Sequence, residues 1–163
     1  MSGLPVIDGV YISQENCPET YARAPFYHDH PSMLAAFGVL PGESVDRAVM
    51  KNTVEKVLER WDFDTVWGWD FAMIAMCCAR LGMTSLAVDM LLMDKPKNAF
   101  SKNGHNPQAD RDDLPLYLPG NGGLLLAVAM MAAGWDGDGG KPAPGFPSDG
   151  NWTVEAEGIA KYI

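Results

Sequence analysis

Asp70 is the residue of this chain best placed to do chemistry. It stands in Val66-Trp67-Gly68-Trp69-Asp70-Phe71, an acid beside two large aromatic faces. Tryptophans can stack on the apolar face of a sugar ring, while a carboxylate meets hydroxyls or the bond to be cleaved. The same residues fit a plainer role: a first-turn acid stabilised by free helix amides, next to tryptophans of the core. A second set lies in the loop 94–120. It carries Asn103, His105, Asn106, Gln108 and Tyr117, with Asn121 just beyond. Amides, imidazole and phenol supply mixed donors and acceptors, a suitable lining for a hydroxyl-rich ligand. A surface loop whose amides bond its own backbone is the alternative. A third set is His28-Asp29-His30. On an extended segment residues 28 and 30 share a face, as proton transfer or metal binding would need. No third ligand lies at a fitting spacing, so no metal site is expected.

Helices must position these side chains. From Phe71 to Leu81 the only charged residue is Arg80, and a helix apolar on all sides is normally buried on all sides. The spacing predicts a helix over 69–81, stopped at Gly82, and a second over 84–93 capped by Thr84 and ended by Pro96. The short link makes the two a hairpin. Before them, Ser32 caps a short helix to Phe37, closed by Gly38. A long amphipathic helix then runs from Glu43 or Ser44 to about Trp61, with Val45, Val49, Val54, Val57 and Leu58 on one face. After the loop, Asn121-Gly122-Gly123 opens a last apolar helix, Leu124 to about Ala133, stopped by Gly134. Trp152-Thr153-Val154-Glu155 alternates weakly and predicts one strand. The chain therefore reads as an irregular segment 1–30, a helical-hairpin domain 31–134 and a Gly/Pro-rich tail 135–163.

The composition narrows the partners. The chain has 163 residues, 47% of them apolar, and a formal charge of −9, enough for one domain with a core. No run of Lys or Arg occurs, which argues against nucleic acid or an anionic membrane surface. No stretch of about 18 apolar residues occurs, so no membrane-spanning helix is expected. Cys77 and Cys78 are adjacent and point about 100° apart on a helix; with Cys17 they read as free thiols. No phosphate-cradling glycine loop is present and no cofactor is implied. The start, Met-Ser-Gly-Leu-Pro, lacks the basic and apolar regions of a signal peptide, giving a cytoplasmic reading, or an extracytoplasmic one if a leader precedes it. Two wholly apolar helices exceed the cover that the other helices provide. The chain is therefore expected either to be a homo-oligomer or to belong to a larger helical layer structure.

Three stretches, taken in order, resemble the C-terminal part of a six-hairpin, (α/α)6-barrel glycosidase, nearest to the glycoside hydrolase family 95 group of α-L-fucosidases. His30-Pro31-Ser32 through Leu40-Pro41-Gly42 is similar to a His-containing Leu-Tyr-Pro-Gly segment before a barrel helix. Trp67-Gly68-Trp69-Asp70 with Ala79-Arg80-Leu81-Gly82 is similar to a Gly-Trp-Ser-x-Ala-Trp helix ending in Ala-Arg-Leu. Pro119-Gly120-Asn121-Gly122-Gly123 is similar to an Asp-Gly-Asn-Phe-Gly-Gly stretch. The tail Phe146-Pro147 and Trp152-Thr153-Val154 resembles the first strand of the following β-domain. Two positions depart from the pattern: Pro119 stands where the family has a water-activating aspartate, and Asp70 where it has a serine. The general-acid glutamate belongs to an earlier part of such a barrel.

The resemblance implies an all-α fold of helical hairpins, a partial (α/α)6 toroid whose N-terminal half lies elsewhere. It implies action on glycosidic bonds of a carbohydrate, or a non-catalytic carbohydrate-binding or assembly module derived from such a barrel. On that reading Asp70 is the candidate catalytic carboxylate. Trp67 and Trp69 would stack on sugar, and His30, Asn103, His105, Asn106, Gln108 and Asn121 would hold hydroxyls. Asp29, Asp112 and Asp113 are candidates for the second carboxylate by their place in loops.

Overall fold

A computed structural model describes residues 3–163. It is mostly helical: α1 (Ala35–Gly38), α2 (Arg47–Arg60), α3 (Gly68–Arg80), α4 (Thr84–Leu91) and α5 (Leu118–Ala133). The exception is a miniature antiparallel hairpin, β1 (Val6–Ile7) and β2 (Val10–Tyr11), with Val6 opposite Tyr11. The expectation of an irregular first thirty residues missed it. Asp8 and Gly9 both have positive φ, 50° and 77°, the two-residue turn that Asp-Gly favours between strands. The hairpin is fastened to α2. The Tyr11 amide donates to Thr53 Oγ1 at 2.8 Å, and the Tyr11 hydroxyl accepts from the Asp46 amide at 2.8 Å.

Several helix ends differ from expectation. α2 begins at Arg47, not at residue 43 or 44, because Asp46 is the better cap: its Oδ1 accepts from the amides of Ala48 and Val49. The short helix is a 3-10 turn over Ser32–Leu34 running into α1, and Ser32 makes no cap bond. Thr84 is the first residue of α4 rather than its cap, and α4 ends at Leu91. α5 begins six residues before the expected Leu124. Pro119 lies in its first turn, where a missing amide costs nothing and the fixed φ suits the helix. Gly120, Gly122 and Gly123 thus lie inside the helix and do not open it. The strand expected at 152–155 does not form. That stretch is unpaired, and a strand without a neighbour has no ladder to stabilise it. The tail's one bridge pairs Trp135 with Tyr162.

α3 is the axis of the core. It packs on α1, α4 and α5, and every residue from Gly68 to Arg80 except Trp69 is buried. α5 shares the apolar character but not the burial: Leu118, Leu125 and Val128 remain exposed. Cys77 and Cys78 are buried free thiols, and burial pushes Cys78 up to about 12, which leaves it inert as a nucleophile. No described helix is long and apolar enough to cross a membrane.

Candidate functional site

The N-terminal ends of α3 and α5 lie side by side, tied by the loop between α4 and α5. Asn106 is the tie. Its side-chain amide donates to the carbonyls of Lys97 (3.0 Å) and Ala99 (2.9 Å). Its backbone amide donates to Asn121 Oδ1, and its backbone carbonyl accepts from the Tyr117 amide. Gly68 of α3 and Gly120 of α5 both press on the Asn106 side chain: a Cβ on either would fall about 2 Å from Asn106 Oδ1. Gln108 completes the clamp. Its Nε2 donates to Asn106 Oδ1, and its Oε1 accepts from the Gly68 amide at 3.4 Å. Asn106 and Gln108 are buried, so their expected role of holding sugar hydroxyls is corrected. Their amides are consumed by the backbone that builds the site. Asn121 also serves the loop, donating to the Gly104 carbonyl. Asn103 and His105 are exposed, and their hydrogen bonds stay within the 101–105 turn.

Above this clamp sits a histidine–aspartate pair. His30 Nδ1 lies 2.9 and 3.1 Å from the two carboxylate oxygens of Asp70. Asp70 Oδ2 also accepts from the Trp67 amide at 2.7 Å, so it caps α3 as a first-turn acid. The Asp70 side chain is 0% exposed while that of His30 is 39% exposed. A carboxylate so enclosed cannot itself flank a glycosidic bond in this arrangement; it meets the imidazole of His30 instead. Its hydrogen bond fixes the imidazole with the proton on Nδ1 and leaves Nε2 without a partner among the described residues. The hydrogen bond that His30 donates to Asp70 raises the pKa of His30, against the opposing effect of partial burial. Burial raises that of Asp70, while His30 and the Trp67 amide pull it back. Both values thus lie above the ordinary ones for their groups.

Aromatic rings frame the imidazole. Trp69 lies 5.2 Å and Trp67 5.9 Å from His30, centroid to centroid, both tilted. Trp67 also meets Tyr117 at 5.4 Å. Two cations that the sequence reading passed over approach Trp67: Lys97 Nζ at 5.7 Å and Arg111 Cζ at 5.9 Å from the ring centroid. Trp67 is thus the hub of the rim, with four side chains on it, and Trp69 is the freer face. Lys97 is paired with Asp110, and Arg111 with Asp113 through two bonds of 2.8 Å. A cleft of about 260 Å³, lined by Phe63, Asp64, Lys95, Lys97 and Asp110 among others, adjoins the rim through Lys97. The only signal for Lys97 and Arg111 in the sequence was their place in the long loop.

Of the candidate second carboxylates, Asp29 is exposed next to His30, with φ at 55°. Asp113 is held by Arg111, and Asp112 is exposed. His28 does not converge with His30: it faces Asp62 at 3.7 Å, whereas His30 faces Asp70. Among the described residues no group of three or more His, Cys, Asp or Glu is placed to hold a metal ion. Compared with known proteins, the chain matches no family model, no curated protein and no solved structure.

Proposed function

We propose that the chain is a carbohydrate-binding portion of a six-hairpin, (α/α)6-type barrel, with the sugar seated on His30, Trp69 and the edge of Trp67. The observation that carries this reading is the imidazole of His30, oriented from behind by a buried carboxylate and framed by two indoles. An oriented Nε2 exchanges a directional hydrogen bond with a hydroxyl, while an indole face covers the C–H face of a sugar ring. The exposed outer face of α5, Leu118, Leu125 and Val128, supports membership in a larger assembly. Further hairpins of a barrel or a second copy of the chain would cover it. The overall charge of −9 suits a neutral ligand better than a polyanion.

Tryptophan fluorescence of the whole chain, titrated with neutral oligosaccharides, tests the reading. Saturable quenching that is lost in Trp69→Ala and weakened about tenfold in His30→Ala is the expected result. A panel of sugars that leaves the spectrum unchanged would end it.

A second reading, that the segment also cleaves glycosidic bonds, is favoured by the pair itself. A histidine held by a buried aspartate can carry a proton to or from a reacting oxygen. Glycoside hydrolysis ordinarily uses two accessible carboxyl groups. Asp70 is enclosed, and Pro119 occupies the position that the resemblance assigns to a second acid. Release of reducing ends that disappears in Asp70→Asn would establish cleavage over binding alone.

A further inference from the structure

The far end of α3 holds a second polar site that the carbohydrate reading does not use. Arg80 lies ten residues beyond Asp70, about 15 Å along the helix. A pocket of about 140 Å³ opens there, lined by Arg47, Arg80, Gly82, Trp135, Gly137, Asp138 and Lys141 among others. Three of these residues are cationic, in a chain with 12 Lys and Arg against 21 Asp and Glu. Among the described residues none of the three pairs with an Asp or Glu side chain, and the pocket's own Asp138 is paired with Lys161 instead. Three cations without a side-chain carboxylate partner thus share one pocket in an acidic chain.

Arg80 supplies the second observation. It is 4% exposed, and its Nε is a buried donor with no partner. One terminal nitrogen donates to the main-chain oxygen of Ile163, the last residue of the sequence, and the guanidinium rests on the rings of Trp135 and Tyr162. A buried donor left unmade is costly, the more so on a charged guanidinium. Arg47 is held in place by its bond to the Arg80 carbonyl at 2.6 Å and by packing on Phe37. Lys141 is exposed and unbonded. Two acids are near. Asp138 is part of the lining, and its oxygens are taken by Lys161 and the amides of Trp135 and Gly140. Asp136 is exposed and acts on Arg80 only through its field.

We propose that this pocket, formed by Arg47, Arg80 and Lys141, binds a phosphate-class oxyanion. A planar guanidinium matches such an anion with two parallel bonds, and two further cations complement its second charge. The volume admits the anion or the phosphoryl end of a larger ligand, but not a sugar ring alongside. The proposal stands independently of the His30 site.

Inorganic phosphate is the first probe, titrated into the whole chain by calorimetry at constant ionic strength set with chloride. Saturation below about 10 mM, with a matching rise in melting temperature, is expected. Lys141→Ala and Arg47→Ala alter exposed side chains, although that of Arg47 also packs on the core ring of Phe37, and each should weaken binding about tenfold. Arg80→Lys should abolish it, and the two surface variants keep the test sound if that one folds poorly. Methyl phosphate separates the sources. Equal affinity assigns a free oxyanion, and tighter binding assigns a phosphoryl group on a larger molecule; either supports the site. No saturation by 10 mM, or saturation unchanged in both surface variants, overturns it.

Discussion

α3 and α5 are nearly the same helix in composition and opposite in environment. Between Phe71 and Leu81 the sole charge is Arg80, and between Leu118 and Ala133 there is none. Yet α3 is enclosed along its length, with Trp69 alone half exposed. On α5 Leu125 is 72% exposed and Leu118 66%. The difference is in the neighbours. α3 has α1, α4 and α5 around it, whereas α5 lies at the edge with α3 on one side. Apolar composition says that a helix tolerates cover on every face; how many faces are covered depends on the elements that arrive.

The largest test of this contrast is in the core. Ile74, in the middle of α3, is 0% exposed. Ile74→Ala should cost about 2–5 kcal/mol, a lost transfer energy plus a cavity that enclosed neighbours cannot fill. Urea denaturation measures it as a lower midpoint with an unchanged slope. A loss under about 1 kcal/mol would mean that α3 is not the enclosed helix described here.

Asn106 tests how the two helices are joined. Asn106→Ala removes the donors to the Lys97 and Ala99 carbonyls and the acceptor of Gln108. The orphaned groups stay buried beneath Gly68 and Gly120, and the expected cost is about 2–3 kcal/mol. Hydrogen exchange should localise the damage. Amides at the starts of α3 and α5 should lose protection, while those of α4 keep theirs. Uniform loss across all helices would show that Asn106 supports the fold at large and not this junction.

These two residues also show where the sequence was informative. The apolar run at 71–81 announced a buried helix, and Gly82 its end. Of the two roles open to Asp70, catalytic carboxylate and first-turn acid, its bond to the Trp67 amide fits the second. The burial of Asn106 and Gln108 was not legible. An amide in a polar loop looks the same whether it faces a ligand or, as Asn106 does, a backbone carbonyl nine residues away. The start of α5 was misread because three glycines outweighed one proline. Their lack of side chains serves close packing, as at Gly120, more than flexibility. His30 was found by residue type, but its partner could be identified only when a fold brought residues 30 and 70 together. The shape of a closed toroid lies beyond five helices, and five are what these residues form.

The His30–Asp70 pair gives a smaller effect with a clear sign. His30 holds its proton above the ordinary imidazole value because Asp70 accepts from Nδ1. A raised folded value adds stability that is fully present below about pH 6.5, the unfolded imidazole value. It fades as pH climbs through the folded value. The upward shift at Asp70 has the same sign. Asp70→Asn removes the charge but keeps an oxygen for the Trp67 amide. The stability gap between wild type and variant should therefore narrow as pH rises. In the variant, the NMR titration of His30 should move down toward the ordinary value. A wild-type His30 that titrates at or below that value would dissolve the pair as described.

The smallest expected change in stability falls on the outer face of α5, and there the contrast between the two helices is sharpest. Leu125→Lys should shift unfolding by no more than about 0.5 kcal/mol, because the leucine already stands in water in a single chain. Its mass in light scattering is the informative quantity. If second copies cover α5, wild type exceeds the monomer mass and a charge at position 125 returns it to monomer, with the helical circular dichroism unchanged. A wild-type monomer would remove self-association and leave further barrel hairpins as the cover for that face. A full core-sized loss in Leu125→Lys, comparable to that of Ile74→Ala, would instead mean that α5 is as enclosed as α3, and that its apolar composition had described its burial after all.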